Sequence, residues 1–314
     1  MRYFFMLLLP CVGAIIGREL ASEAAKNAVA DGRTLVEARQ GFKTKTVGRN
    51  NDREPAPTPP SRVFRKIKYD APSGKLTAYL TPNPNDGQKH SAIVWITGGD
   101  CNSIGDVWSA APASNDQTAS AFRKSGVVMM FPSLRGGNDN PGEKEGFLGE
   151  VDDVIAAADF LARYSYVDPD RIYLGGHSTG GTLVLLAAEC SGRFRAVFSF
   201  GPVDDVSGYP PEFCPFDQRD AKEVALRSPG RWLPSITSPT FVFEGTSRGN
   251  VDSLNRMARN SSNGNVHFYP VRGADHFSII GPVTKIIAKR VVQDSGPTCN
   301  LTFDVEELAR AFGK

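Results

Sequence analysis

The sequence predicts an α/β protein: a mostly parallel central sheet with an antiparallel N-terminal edge and helices on both faces. Three observations predict it. Short, uninterrupted apolar runs such as Ala92-Ile-Val-Trp-Ile and Val127-Val-Met-Met-Phe have the length and composition of strands covered on both sides. These runs alternate with helical patterns of ten or more residues, and strand-helix-strand succession in one sheet demands right-handed parallel crossovers. A Gly-rich turn, Gly176-His177-Ser178-Thr179-Gly180, joins an apolar strand directly to an apolar helix.

Taken in order, residues 63–69 alternate apolar and polar, Ala71-Pro-Ser-Gly turns, and residues 76–80 continue, which reads as an antiparallel pair at the sheet edge. The run at 92–97 is a central strand that exits through Gly98-Gly99-Asp100-Cys101. A helix is expected over 114–125 and a buried strand over 126–132, followed by the turn-rich Arg135-Gly-Gly-Asn-Asp-Asn-Pro-Gly. Over 150–163, Val151, Val154, Ile155, Ala158, Leu161 and Ala162 fall on one helical face. Beyond the Gly-rich turn, strands are expected at 196–200, 239–244 and 266–271, with helices at 252–259 and 282–292. A Pro- and Gly-rich excursion interrupts this alternation at 207–234. Asp304 and Glu307 form a capping pair ahead of a last helix lined by Leu301, Val305, Leu308 and Phe312.

The N-terminus departs from this pattern. Residues 1–17 combine a basic start with an apolar run of signal-peptide or membrane-anchor length, so export or membrane tethering on the periplasmic or extracellular side is expected. Residues 18–60 are polar and end in Glu54-Pro-Ala-Pro-Thr-Pro-Pro, which predicts a stiff linker with a helical first part over 20–38. The globular domain is then 61–314. A net charge of +2, with no basic face interleaved with aromatics, argues against nucleic acid as a partner. Cys11, Cys101, Cys190, Cys214 and Cys299 show no metal-ligand spacing, so no metal site is expected; disulfides and free buried thiols both remain compatible with four domain cysteines. Asn260-Ser-Ser and Asn300-Leu-Thr fit glycosylation acceptors of a secretory route.

The turn at Ser178 reads G-x-S-x-G, the pattern of the nucleophile elbow of an α/β-hydrolase, in which Gly176, His177 and Gly180 flank a serine raised above the sheet. A serine hydroxyl needs a base, and the base needs a carboxylate that fixes its tautomer. In this fold the chain order is Ser, acid, His. Of four histidines, His90 precedes the nucleophile strand, His177 lies inside the turn and His267 lies within a strand, which leaves His276 in the loop after the last strand. Glu244, ending the strand Thr240-Phe-Val-Phe, is the preferred acid, with Asp204, Asp205 and Asp252 as alternatives. Oxyanion donors are expected from the amide of Thr179 and from Gly99 or Asp100 in the loop after the first central strand.

These segments resemble the catalytic domain of the prolyl oligopeptidase family and its dienelactone-hydrolase-like relatives. The resemblance rests on Asp168-Pro-Asp-Arg-Ile-Tyr-Leu-Gly-Gly-His-Ser-Thr-Gly-Gly, on Leu134-Arg-Gly-Gly with Gly149-Glu-Val-Asp-Asp-Val, and on Gly273-Ala-Asp-His-Phe; it covers about residues 63–292. It implies a serine hydrolase that cleaves peptide, amide or ester bonds through an acyl-enzyme, with Ser178 and His276 carried over directly and no metal or organic cofactor. Arg248 stands where family members usually place their aspartate, and the β-propeller of true prolyl oligopeptidases is not expected ahead of the domain. The first departure leaves a second reading, a non-catalytic binding protein of the same fold at the cell envelope. A small ester or a peptide is the expected substrate.

Overall fold

The computed structural model describes residues 32–48 and 50–313. Eight strands form one sheet: β1 (Arg65–Ala71), β2 (Gly74–Leu80), β3 (His90–Ile96), β4 (Val128–Pro132), β5 (Val167–His177), β6 (Val197–Phe200), β7 (Thr240–Ser247) and β8 (Val266–Asp275). Their spatial order is β1-β2-β4-β3-β5-β6-β7-β8. The β1-β2 and β2-β4 pairs are antiparallel, and every pair from β4 to β8 is parallel. The antiparallel edge and parallel body expected from the apolar runs are both present.

Strand alternation explains why the central runs are apolar throughout. Along β3, Ala92, Val94 and Ile96 enter one core, while Ile93 and Trp95 enter the other. With both faces covered, no position faces water, so the period-two signal vanishes. One face is covered by α3 (Glu150–Leu161) and α4 (Thr179–Cys190). The other is covered by α2 (Ser120–Lys124), α7 (Ile280–Gln293) and α8 (Val305–Arg310), whose first turn is capped by the Asp304 carboxylate accepting from the Glu307 amide at 2.9 Å. The helix expected over 114–125 is shorter than its pattern, because a 3-10 turn at Ala113–Asn115 precedes α2. The excursion after β6 holds only 3-10 turns and the five-residue α5 (Ala221–Ala225), and α6 (Val251–Asn260) follows β7.

The described part of the polar N-terminal segment lies along the domain, where composition suggests a stiff linker. It begins with α1 (Leu35–Arg39), capped by Thr34 and Glu37, with Leu35 fully buried. Arg39 donates to Asp152 at 2.8 Å and to the Leu148 carbonyl at 3.0 Å. Thr44 donates to the buried Glu223, which also pairs with the fully buried Arg227. Val47 donates to the Pro215 carbonyl, and Asp52 accepts from Lys144 at 2.6 Å and bonds Ser103. Beside the buried Leu35 and Ala38, polar contacts hold this strap, and hydrophobicity alone does not register them. The expected helix over 20–38 and the apolar run at 1–17 otherwise fall outside the described residues. Among the described residues no helix is long and apolar enough to cross a membrane. Cys101, Cys190, Cys214 and Cys299 are free thiols.

Candidate active site

Ser178 sits between β5 and α4 with φ 56° and ψ −116°, a left-handed backbone that costs a non-glycine residue roughly 1–2 kcal/mol. The strain is held from both sides. The Ser178 amide donates to the Phe200 carbonyl at 2.7 Å, and the Ser178 carbonyl accepts from the Thr182 amide at 2.9 Å. Strand and helix cross so closely that a Cβ on Gly176 would stand 2.6 Å from the Gly180 carbonyl oxygen, and one on Gly180 would stand 2.4 Å from that of Ile96. The serine is half-buried, reachable from solvent at the carboxyl end of the sheet.

His276 follows β8 and lies close against β6 and β7. Its Nδ1 is 2.9 Å from Glu244 Oε2. Glu244 is fully buried at the end of the apolar part of β7. Its other oxygen accepts from the Gly245 amide at 2.8 Å, and the Asn250 amide approaches Oε2 at 3.4 Å. A carboxylate held by backbone donors can only accept from Nδ1–H, which places the lone pair of His276 on Nε2. The other acid candidates are engaged elsewhere. Asp204 pairs with Arg256 at 2.7 Å, Asp205 with Arg231 at 2.8 Å, and Asp252 lies in the first turn of α6. His90 pairs with Asp86, and the exposed His267 stacks on Phe241.

The loop after β3 adjoins the elbow. A Cβ on Gly98 would meet Ser178 Cβ at 3.1 Å, and Gly99, with φ +77°, offers its carbonyl to the Thr179 hydroxyl at 2.8 Å. The Asp100 carboxylate is turned to Lys144 at 2.9 Å, so any part it takes in holding an oxyanion falls to its amide. Thr179 opens α4, whose first amides have no partner within the helix.

Six residues near this centre escape a reading of the sequence. Gly201 follows β6 with φ +58°, and a Cβ there would lie 2.5 Å from His276 Cε1 and 2.6 Å from Glu244 Oε2. Its place immediately after a strand next to the elbow is the signal that could have found it. Asn250 donates from its side chain to the Gly201 carbonyl at 2.8 Å. Tyr209, from the excursion, bonds the Thr182 hydroxyl at 2.7 Å; burial pushes its phenol up, while hydrogen bonds with Thr182 and Ser178 pull the other way. Phe147 stacks on the Tyr209 ring at 5.5 Å and Phe213 meets its edge at 6.1 Å, so an aromatic wall stands beside the serine. Gln117 Nε2 lies 2.8 Å from His177 Nδ1.

A profile of the prolyl oligopeptidase family matches residues 113–222. The uncharacterized peptidase YtmA of Bacillus subtilis is 30% identical over 221 residues, spanning 60% of this chain and 80% of that protein. The dual function macrocyclase-peptidase POPB of Galerina marginata is 34% identical over 89 residues, 26% of this chain, and those residues span only 12% of that relative's length. Among solved structures, the acylaminoacyl peptidase of Pyrococcus horikoshii superposes with a TM-score of 0.60 at 15% identity over 78% of this chain and 43% of that one, a likeness of fold. Match along the sequence and likeness of architecture agree with the elbow that the coordinates describe, and the chain belongs to the prolyl oligopeptidase family of serine hydrolases.

Proposed function

We propose that Ser178, His276 and Glu244 form the catalytic triad and that the chain hydrolyses acyl bonds of a peptide, amide or small ester. The observation that carries this reading is the 2.9 Å contact between Glu244 Oε2 and His276 Nδ1. It supplies a buried carboxylate even though Arg248 occupies the loop position where the family usually carries its aspartate.

In the first half-reaction His276 Nε2 takes the Ser178 proton as the oxygen attacks the acyl carbon, and the charge on Nδ1–H is balanced by Glu244. The oxyanion is received by the Thr179 amide and that of Gly99 or Asp100, donors worth about 3 kcal/mol each. The Nε2 proton then passes to the leaving nitrogen or oxygen, and the acyl group stays on Ser178. In the second half-reaction water gives a proton to Nε2 as it attacks the acyl carbon, and that proton then returns to the Ser178 oxygen as its bond to the acyl carbon breaks and the acid leaves. The Phe147-Tyr209-Phe213 wall favours an acyl or side-chain group with apolar surface.

The decisive experiment is labelling of the full chain by a fluorophosphonate, in wild type and in Ser178→Ala, followed by turnover of p-nitrophenyl acyl esters and peptide p-nitroanilides. Ser178-dependent labelling with turnover supports the assignment. Folded wild-type protein that takes no label overturns it and restores the binding-protein reading. Export or membrane tethering through residues 1–17 is a separate proposal resting on their apolar run; cell fractionation with N-terminal sequencing tests it, and a soluble cytoplasmic chain that keeps Met1 overturns it.

A further inference from the structure

The elbow holds a second imidazole that the acyl-transfer scheme does not use. His177 is fully buried, and its ring centroid lies 4.5 Å from that of His276. Counting donors and acceptors fixes its tautomer. The Gly98 amide, which can only donate, reaches Gln117 Oε1 at 3.1 Å. The opposite end of that side chain, Nε2, is therefore the donor, and it faces His177 Nδ1 at 2.8 Å and Asn115 Oδ1 at 3.0 Å. Nδ1 of His177 has to accept, its proton lies on Nε2, and Nε2 donates to the His276 carbonyl at 2.8 Å. Burial and the neighbouring His276 hold the imidazolium form off until about pH 3. A Cβ on Gly98 would stand 2.8 Å from Nδ1, so the ring is clamped against the backbone.

We propose that Gln117 and His177 are positioning residues that set His276 over Ser178. The sequence of bonds runs from the Gly98 amide through Gln117 and His177 to the His276 carbonyl. It joins the loop after β3, which carries the oxyanion donors, to the elbow and to the loop after β8, which carries the base. These three loops come from separate strands, and acyl transfer needs all three in register to a fraction of an ångström. Neither residue hydrogen-bonds to the reacting atoms: Gln117 acts through His177, and His177 acts through the His276 carbonyl and the ring it packs against. The inference rests on the triad assigned above.

Two substitutions at one position separate the halves of this link. Glutamine at 177 places an amide N–H near the site of the ring Nε2 and can still reach the His276 carbonyl. Asparagine places its amide near the site of Nδ1 and stops short. With p-nitrophenyl acyl esters, His177→Asn should lower kcat by roughly 10–100-fold, the scale of an ångström-sized misplacement. KM should hardly change, and His177→Gln should restore most of the loss. Gln117→Leu, checked for folding by circular dichroism, should lower kcat in the same direction. Amide exchange over 276–279 should quicken in His177→Asn and not in His177→Gln, a readout that a general loss of stability would not sort this way. Should Gln and Asn variants be equally impaired, should both equal the wild type, or should the effect fall on KM alone, the positioning role is overturned while Ser178-dependent labelling leaves the triad standing. A wild type that takes no fluorophosphonate overturns both.

Discussion

Glu244→Gln should fold normally and lose nearly all turnover, for a reason that follows from which atoms can donate. The Gly245 amide points at Oε1 from 2.8 Å, so the glutamine carbonyl oxygen has to take that place. Its NH2 group then occupies the Oε2 site, 2.9 Å from His276 Nδ1 and facing the Asn250 amide. Nδ1 becomes an acceptor, and the single proton of the neutral imidazole moves to Nε2, the nitrogen that must take the Ser178 proton. Inverting the tautomer in this way costs roughly 10³–10⁴-fold in kcat, about 4–5.5 kcal/mol of transition-state stabilisation. Glu244→Asp keeps the charge but withdraws it by one methylene, about 1.5 Å, and should fall between wild type and Gln. The assay is kcat/KM on a p-nitrophenyl acyl ester together with the fluorophosphonate labelling rate, with circular dichroism as the check on folding. A Gln variant that keeps more than a tenth of wild-type kcat, or an Asp variant slower than Gln, would refute the reasoning.

Gly201→Ala should lower kcat by about 100-fold, because its methyl would meet His276 Cε1 and Glu244 Oε2 at φ +58°; Gly208→Ala, whose methyl lies 3.6 Å from Val203, is the control, and equal activities would contradict the packing argument. Ser178→Gly should abolish turnover and yet raise unfolding free energy in urea by roughly 1–2 kcal/mol over Ser178→Ala, since glycine relieves the φ of 56°; identical stabilities would show that the elbow stores no strain. Glu189, buried in α4 with neither carboxylate oxygen partnered, has its carboxyl pushed well above the usual range by burial. Its folded pKa exceeds the unfolded one, so its penalty is absent below pH ~4.3 and grows by about 1.4 kcal/mol per pH unit until it ionises in place. Glu189→Met should therefore gain in melting temperature over wild type as pH rises from 4 to 8, and a gain independent of pH would rule this out.

How much of this was legible in the sequence depends on what kind of force holds each part. The runs that became β3, β4, β6 and β7 are apolar because both sheet faces are covered, and the elbow announces itself through Gly176, Ser178 and Gly180 because close crossing tolerates little else. His276 was reachable by elimination, as the only histidine in a loop after the last strand, and Glu244 by its position at a strand end. The strap over 32–60 was not, since Arg39, Thr44 and Asp52 dock through hydrogen bonds and ion pairs whose partners lie a hundred or more residues away or on distant loops. Polar composition reads the same whether such side chains meet water or Glu223. Gln117 and Tyr209 were invisible for a related reason: Tyr209 lies in the irregular excursion and Gln117 inside the window read as a helix, between the 3-10 turn and α2, and the meaning of each comes only from what the fold sets beside it.

The placement of the acid has a physical logic of its own. A loop aspartate three residues beyond Gly245 would depend on the 245–250 turn for its position, and that turn carries Arg248 at φ 67° and Gly249 at φ +100°. Glu244 instead projects from β7, whose residues pair in parallel register with β6 on one side and β8 on the other. The same strand-to-strand pairing that aligns β8 delivers His276, so acid and base are fixed by one rigid sheet. The longer side chain of glutamate covers the distance that a loop would otherwise supply. Freed of that task, the turn contributes only backbone: the Gly245 and Asn250 amides orient the carboxylate, and the Asn250 side chain ties the turn to Gly201. Arg248 can then face solvent beside Asp275, whose carboxyl is held down mainly by its hydrogen bonds with Ser278 and to a lesser degree by Arg248. Arg248 in the turn is thus compatible with the proposed triad, in which Glu244 supplies the carboxylate from the strand.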